Sequence, residues 1–422
     1  MSTEKVIFVS IFLLIIIGVF YINVRKKIGL KRSLDMVFLR VIIARKDSDL
    51  DEKKETVKDF REQISIMEQL LASLKSLYNT TIHGWLFGQE YISLEYVAHN
   101  EEIYFYIVVP RHAKIIVEKQ IIGFYPDCLI EETPEINIFE NRKIVRGEIM
   151  SLKKGEQFPI RTYQKLESDS MNGILSALGK LSHDESASIQ ILLRPVDDDW
   201  QERIKKMIRK SEKKDGNSNH HMSWNPLIWL GNLISIFTES PEESLKHNNE
   251  GEKPDDEPID EEGLMKEKVK KTGYKSIIRI ITTGNDQNNT EAELANIISA
   301  FSQFASPTYN KFKPVKKKSL SLLIEHYIFR QFTWWQSSPV LNSEELATLY
   351  HFPSSKYNKQ PEIRWQRFKV VKAPVNIPKE GLYIGENVFR GERKPIYIKN
   401  NDRFRHFYVI GQTGTGKSSI LS

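Results

Sequence analysis

Apolar residues change their spacing several times along the chain, and each change predicts an element. Val6–Val24 reads VIFVSIFLLIIIGVFYINV, apolar and free of charge; a run of about 19 such residues predicts a transmembrane helix. Leu34–Ala44 (LDMVFLRVIIA) is a β-like run. From Asp49 to Leu77 the chain is strongly charged, but Phe60, Ile64, Met67, Leu70, Leu71, Leu74 and Leu77 recur at three- and four-residue steps. That period predicts an amphipathic helix with one packing face, laid on its own domain in preference to a coiled coil.

Glu90–Val97 alternates apolar and polar residues, His99-Asn100-Glu101-Glu102 breaks the pattern, and Ile103–Val109 resumes it. This predicts a hairpin. A helix over Arg111–Ile121, with Ile115, Ile116 and Ile122 in its apolar stripe, leads to a third strand at Cys128–Ile130. The order β-β-α-β predicts an α+β fold of ferredoxin-like character, with helices on one face of an antiparallel sheet. Ser188–Leu193 is another strand, followed by a helix from Trp200 to about Arg209. Tyr274–Thr283 and a helix from Thr290 to Phe304 repeat that strand-then-helix order and predict a second α+β unit. Leu341–Leu346 starts an N-capped helix that ends near Pro353, and Gly381–Ile398 holds short strands and turns.

The last pattern carries the chemistry. The strand-like run Arg405–Ile410 (RHFYVI) feeds Gly411-Gln412-Thr413-Gly414-Thr415-Gly416-Lys417-Ser418, and Ser419-Ile420-Leu421 then begins a helix. This is GxxxxGK[ST] between strand and helix, the context a phosphate-binding loop needs. Gly411, Gln412, Thr413, Gly414, Thr415 and Gly416 give a backbone nest whose N–H groups face phosphate oxygens, with Ser419 at the helix start. Lys417 can reach the β- and γ-phosphates, and Ser418 can ligate Mg²⁺. The cofactors expected are ATP and Mg²⁺. The acidic residue that a P-loop motor needs beyond its first motif has no room before Ser422. The expectation is a truncated front part that does not hydrolyse ATP as it stands.

The divisions that follow are a transmembrane anchor with a basic flank (1–32), an α+β domain (33–210), an acidic disordered linker (211–272), a second α+β unit (273–353) and the start of a P-loop ATPase domain (354–422). The fold class expected is α+β: an N-terminal transmembrane helix, ferredoxin-like α+β units, then the start of an α/β P-loop NTPase domain. Glu239–Glu262 is dominated by acidic residues with Pro241, Pro254 and Pro258, a composition that cannot bury enough apolar area to order itself. Within the 211–272 tract, Trp224–Phe237 (WNPLIWLGNLISIF) is too short to span a bilayer. It docks on a membrane interface or a protein groove, or packs on its own core; the residues leave these open.

Charge and composition change little. The formal charge of +6 over 422 residues does not by itself demand a nucleic-acid partner. Arg25, Lys26, Lys27, Lys31 and Arg32 follow the apolar run, against Lys5 before it. That asymmetry predicts a single-pass protein of the cell membrane with its C-terminal part cytoplasmic, and it argues against a cleaved signal peptide. The single cysteine, Cys128, excludes an internal disulfide and reads as a small core residue. Asp197-Asp198-Asp199 reads as a helix cap and not a metal site, and His220-His221 lacks neighbouring ligands. Lys311, Lys313, Lys316, Lys317 and Lys318, with Tyr309 and Phe312 interleaved, read first as a solvated face and second as a contact for nucleic acid or acidic lipid.

The stretch GLYIGENVFRGERKPIYIKNNDRFRHFYVIGQTGTGKSSIL resembles the lead-in to the ATPase domain of conjugative coupling proteins of type IV secretion systems, and more broadly the ring-forming DNA translocases of the FtsK and HerA kind. Gly381, Gly385, the Asp402-Arg403 turn, His406 and the loop Gly411–Ser418 carry the resemblance, with LNSEELATLYHFP (Leu341–Pro353) upstream. Up to Asn310 the likeness is one of architecture. The resemblance implies a membrane-attached homo-hexameric ATPase that moves single-stranded DNA or nucleoprotein to secretion-channel proteins. Two other readings compete: an assembly ATPase or nucleotide switch with no DNA substrate, and a non-enzymatic product that binds a channel partner.

Overall fold

The computed structural model describes residues 3–45, 59–215, 261–315, 319–333, 336–366, 371–389 and 392–405. Helix α1 (Thr3–Leu34) leads into strand β1 (Met36–Ile42). Helices α2 (Phe60–Ser73) and α3 (Ile82–Phe87) precede the hairpin of β2 (Ile92–His99) and β3 (Glu102–Pro110). Helix α4 (Lys114–Phe124) and strand β4 (Leu129–Thr133) follow. Next come β5 (Ile144–Leu152), α5 (Met171–Leu178), β6 (Ser186–Pro195), α6 (Asp199–Asp215), α7 (Glu261–Lys268) and β7 (Gly273–Gly284). Then α8 (Gln287–Ala300), β8 (Phe312–Val315), α9 (Leu320–Ile328), β9 (Val340–Asn342) and α10 (Ser343–Leu349) complete the main body. A separate hairpin pairs β10 (Leu382–Phe389) with β11 (Glu392–Ile398).

Nine strands form one antiparallel sheet in the order β4-β1-β3-β2-β6-β7-β5-β8, with β9 added beside β7. The order is a palindrome. The series β1-α2-β2-β3-α4-β4 gives the first half the ferredoxin-like order 4-1-3-2. The series β5-α5-β6-β7-α8-β8 gives the second half the same order, read the other way. The halves join through their second strands, β2 and β6, antiparallel from Ile92↔Leu193 to His99↔Ser186.

The hairpin turns distinguish the halves. Between β2 and β3 the chain turns in two residues, Asn100 and Glu101, at φ 51° and 61°, the left-handed pair that matches strand twist. Between β6 and β7 it instead runs through residues 196–272, so the stretch read as an interdomain linker leaves and re-enters one sheet. Its last part packs on the body: α7 buries Leu264 and Met265, and the Lys268 Nζ sits 3.0 Å from a Glu345 carboxylate with both side chains fully buried. Trp200 of α6 seals this side. An added Cβ at Gly273 would come within 2.5 Å of the Trp200 ring, so the backbone of β7 approaches the indole only because residue 273 lacks one.

Both faces of the sheet are covered, so its central strands are buried on both sides. Ile278, Ile280, Ile189 and Ile191 face the layer that holds Ile64, Met67 and Leu71 of α2, Val117 and Ile121 of α4, Ile174 of α5 and Ile297 of α8. Ile277, Ile281 and Leu192 face the opposite way, toward Leu323 and Tyr327 of α9. On α4 the buried residues are Val117 and Ile121, while Ile115 and Ile116, expected in the apolar stripe, stand 63% and 52% exposed. The helix starts three residues later than Arg111, after a 3-10 turn, and its inward face shifts accordingly.

Two parts of the expected fold class need correction or restriction. No helix among the described residues is long and apolar enough to cross a membrane. The C-terminal half of α1 lies against the body of the protein, where Tyr21 donates to the Leu86 carbonyl at 2.5 Å. The expected start of an α/β P-loop domain falls largely outside the described residues, which end at Arg405. What is described is an α+β body built on one large antiparallel sheet.

Candidate functional site

The nucleotide-binding residues expected from sequence, Gly411 to Ser419 with Lys417 and Ser418 among them, lie outside the described residues, as does His406. The lead-in is described. Gly381 opens β10 at φ 126°, where a Cβ would lie 2.1 Å from the Ile398 carbonyl, and the pairing slips by one residue between Tyr383 and Gly385. The Asp402-Arg403 turn is a 3-10 turn, Asn400–Phe404, closed by the Arg405 amide on the Asp402 carbonyl at 3.1 Å. Upstream, Asn342 and Glu345 form a full capping box at the start of α10.

The basic residues near this lead-in are dispersed. Lys311 and Lys313 are exposed at the edge strand β8. Arg364 instead holds Glu102 at 2.7 and 2.9 Å, at the turn end of β3. Five strand steps separate β3 from β8, about 24 Å at the usual spacing. The aromatic residues interleaved with the lysines face inward: Tyr309 is buried, and Phe312 packs on Phe301 and Phe304 with ring centroids 5.6 and 6.2 Å apart. Lys316, Lys317, Lys318, Arg367, Lys369, His220, His221 and Trp224–Phe237 lie outside the described residues. Asp198 pairs with Lys75, and no group of His, Cys, Asp or Glu among the described residues could hold a metal ion.

What the structure does assemble is a basic cleft of about 820 Å³ between α1, α9 and the end of β6. Tyr21, Arg25, Gly29 and Arg32 come from α1 at steps of four, four and three, hence from one helix face. Gly29 has nothing within 4 Å of where its Cβ would stand, so the helix surface there is open. Opposite lies Gly88, the residue that ends α3, at φ 87°. A Cβ at Gly88 would lie 3.6 Å from the Arg25 Nη2 and 3.7 Å from the Arg32 Nη1, so two guanidinium groups converge on one point.

Arg194 forms the floor. Its guanidinium stacks 3.8 Å over the Phe332 ring, one of its terminal nitrogens donates to the Phe332 carbonyl at 3.4 Å, and its Nε has no hydrogen-bond partner. Burial pushes the Arg194 pKa down to about 10, with Arg25 and Arg32 adding to the shift, and the group stays charged at neutral pH. Lys26 also lines the cleft. Against these four cations stand Glu325 on the wall and Glu90, whose carboxylate lies 3.2 Å from the Arg32 Nε. The cleft therefore carries excess positive charge on a largely aromatic and aliphatic surface.

Behind the cleft the centre of the sheet is polar. The Glu95 carboxylate on β2 takes Arg330 at 2.8 and 2.9 Å, Ser93 at 2.7 Å and Gln190 of β6 at 3.1 Å. Arg279 of β7, fully buried, donates to Gln190 at 2.8 Å, to the His326 and Gln331 carbonyls at 2.9 and 2.6 Å, and to Gln336 at 2.8 Å. Burial pushes Arg279 down to about 9. This network fastens α9 and the strap after it to the seam between the two halves. Its charged groups, Glu95, Arg279 and Arg330, are buried. Sequence reading missed it because Glu95, Gln190, Arg279 and Arg330 are far apart in the chain; the one local signal is a charged residue, Arg279, with apolar neighbours Ile278 and Ile280 on either side in β7.

Residues 55–366 match the domain of unknown function DUF8128, which covers well over half of the chain. The chain belongs to that family. No curated protein is detectably similar to it.

Proposed function

We propose that the chain works as part of an ATP-driven DNA translocase of the conjugative coupling kind. The observation that carries this reading is the sequence Gly411–Ser418, set after the strand-like run Arg405–Ile410 and before Ser419-Ile420-Leu421. In this reading the loop binds ATP with Mg²⁺, Lys417 meeting the phosphates and Ser418 the metal. The partners are DNA, single-stranded or as nucleoprotein, and secretion-channel proteins; the working form is a homo-hexamer at the cell membrane. The DNA and membrane parts rest on the family resemblance.

The test is ATP hydrolysis, with and without single-stranded DNA, by a detergent-solubilised protein that carries this chain together with a complete P-loop domain. The reading expects stimulation by DNA of unrelated sequences, and DNA retention that weakens steeply as salt rises, because neutralised phosphates release counterions. Hydrolysis indifferent to DNA, with no salt-sensitive retention, would favour an assembly ATPase with no DNA substrate.

A further inference from the structure

The cleft between α1 and α9 belongs to neither the nucleotide loop nor the sheet-centre network. Two arginines of α1 and a third from β6 converge there. Arg25 and Arg32 both lie within 4 Å of one point beside Gly88, and Arg194 is held beneath them on the Phe332 ring with an unpartnered Nε. Like charges brought this close repel, and among the described lining Arg25, Lys26, Arg32 and Arg194 face the carboxylates of Glu325 and Glu90. Such a site is completed by an anion that can take several charge-assisted hydrogen bonds, as a phosphate can from guanidinium groups.

The rest of the wall restricts which anion. Tyr21, Leu30, Tyr91, Leu322, Phe329 and Phe332 make most of it apolar. The cleft face of α1 also continues outward without polar residues: Ile17 and Leu13 precede Tyr21 at four-residue steps and stand 54% and 56% exposed. A free phosphate or a nucleotide leaves that strip uncovered. We propose that the cleft binds the phosphate head group of an anionic phospholipid, with its acyl chains along the Leu13–Ile17–Tyr21 strip of α1. The ligand is a lipid of a membrane surface, met from the side of the helix, and the proposal requires no membrane span. It is independent of the motor reading, and its outcome leaves the DNA test untouched.

The experiment is flotation of the full chain with vesicles of phosphatidylcholine alone and of phosphatidylcholine with phosphatidylglycerol. Tighter binding to the anionic vesicles is expected, lowered about fivefold by Arg25→Gln, the loss typical of one basic group at a charged membrane. Lys27→Gln removes the same charge from a residue outside the cleft and should change affinity less. Gly29→Leu keeps every charge, favours the helix and fills the opening, and it should weaken binding as much as Arg25→Gln. Arg194→Gln should do the same, with circular dichroism to confirm its fold. Equal binding to both vesicle types overturns the proposal. So does a pattern in which Lys27→Gln acts like Arg25→Gln while Gly29→Leu has no effect, since that marks diffuse surface attraction. Titration with glycerol phosphate and inorganic phosphate separates the sources: affinity for either equal to that for the anionic vesicles would replace the lipid by a small phosphate ligand.

Discussion

Arg330 grips Glu95 at two points, 2.8 and 2.9 Å, from a backbone position that normally calls for glycine. Its φ is 48°, just past the C-terminus of α9. Glycine is the common choice there because an L side chain in that conformation costs about 1–2 kcal/mol. Arginine occupies it because its guanidinium, buried to 3% exposure, neutralises Glu95 at the seam and also reaches Glu135 at 2.8 Å. Burial works against the charge, but Glu95 and Glu135 outweigh it and raise the Arg330 pKa.

Removing either partner should therefore unmask a buried charge. Arg330→Gln is expected to lower stability by about 3–5 kcal/mol in chemical denaturation, because Glu95 loses its counter-ion in the interior. Glu95→Gln with Arg330→Gln together should lose less than the sum of the two single changes, by about 1–3 kcal/mol. Arg330→Gly is the sharper case: it relieves the backbone and still should destabilise. An Arg330→Gly protein as stable as the parent would show that the ion pair contributes nothing net.

A second buried carboxylate gives a pH signature. Asp169 accepts from the Met171 amide at 2.8 Å and from Asn358 at 3.0 Å, and it meets the His351 Nε2 at 2.9 Å. Burial alone would raise its pKa; His351, the Met171 amide and Asn358 outweigh that and hold it below the ordinary 3.8. A carboxyl with a depressed folded-state pKa binds fewer protons folded than unfolded across that window, so stability rises with pH there. Its contribution is complete above the unfolded value and is lost as pH falls below it, through the folded value. Urea unfolding between about pH 6 and pH 2.5 should show this acid loss in the parent and a shallower one in Asp169→Asn. The variant should also be weaker at neutral pH by about 1–3 kcal/mol, since one buried acceptor no longer suits its donors. Identical acid limbs in both proteins would remove Asp169 from the account.

Local signals in the chain were legible where one residue pattern decided the outcome. The stripe Phe60, Ile64, Met67, Leu70, Leu71 is the buried face of α2, and Leu74 continues it into a 3-10 turn. The break at Asn100-Glu101 is the hairpin turn, and Asn342 with Glu345 is a capping box. Strand β5 was not legible because Arg146, Gly147 and Glu148 interrupt its alternation. The structure explains Gly147, whose missing Cβ leaves room for the Ile281 side chain, which would otherwise approach to 2.6 Å. With β5 hidden, the second βαββαβ series could not be counted, and Ser188–Leu193 read as the end of the first domain. The basic cleft was hidden for a different reason. Arg25 and Arg32 read as the flank of an apolar run, and only tertiary structure brings Arg194 to them.

The loop at Gly411–Ser418 remains the feature with the most specific chemistry, and it yields the most direct functional prediction. Lys417 is the one cation in that motif, and its ammonium is expected to bridge the β- and γ-phosphates. Lys417→Ala should abolish ATP turnover by a protein that carries this chain with a complete P-loop domain, and reduce retention of a fluorescent ATP analogue, because the backbone nest alone holds phosphate more weakly than the nest with its lysine. Lys417→Arg keeps the charge but not the shape of a compact ammonium and should also fail to turn over. The body of the protein should be unaffected: the sheet and the cleft lie in residues that precede the loop, so urea unfolding of that body and vesicle flotation should match the parent in both variants. Parent-level turnover in Lys417→Ala would remove the nucleotide site and the motor reading with it. Loss of turnover together with loss of the folded body would point instead to a structural role for residue 417, and Lys417→Met, similar in length and without charge, separates the two by keeping the stem while deleting the phosphate contact.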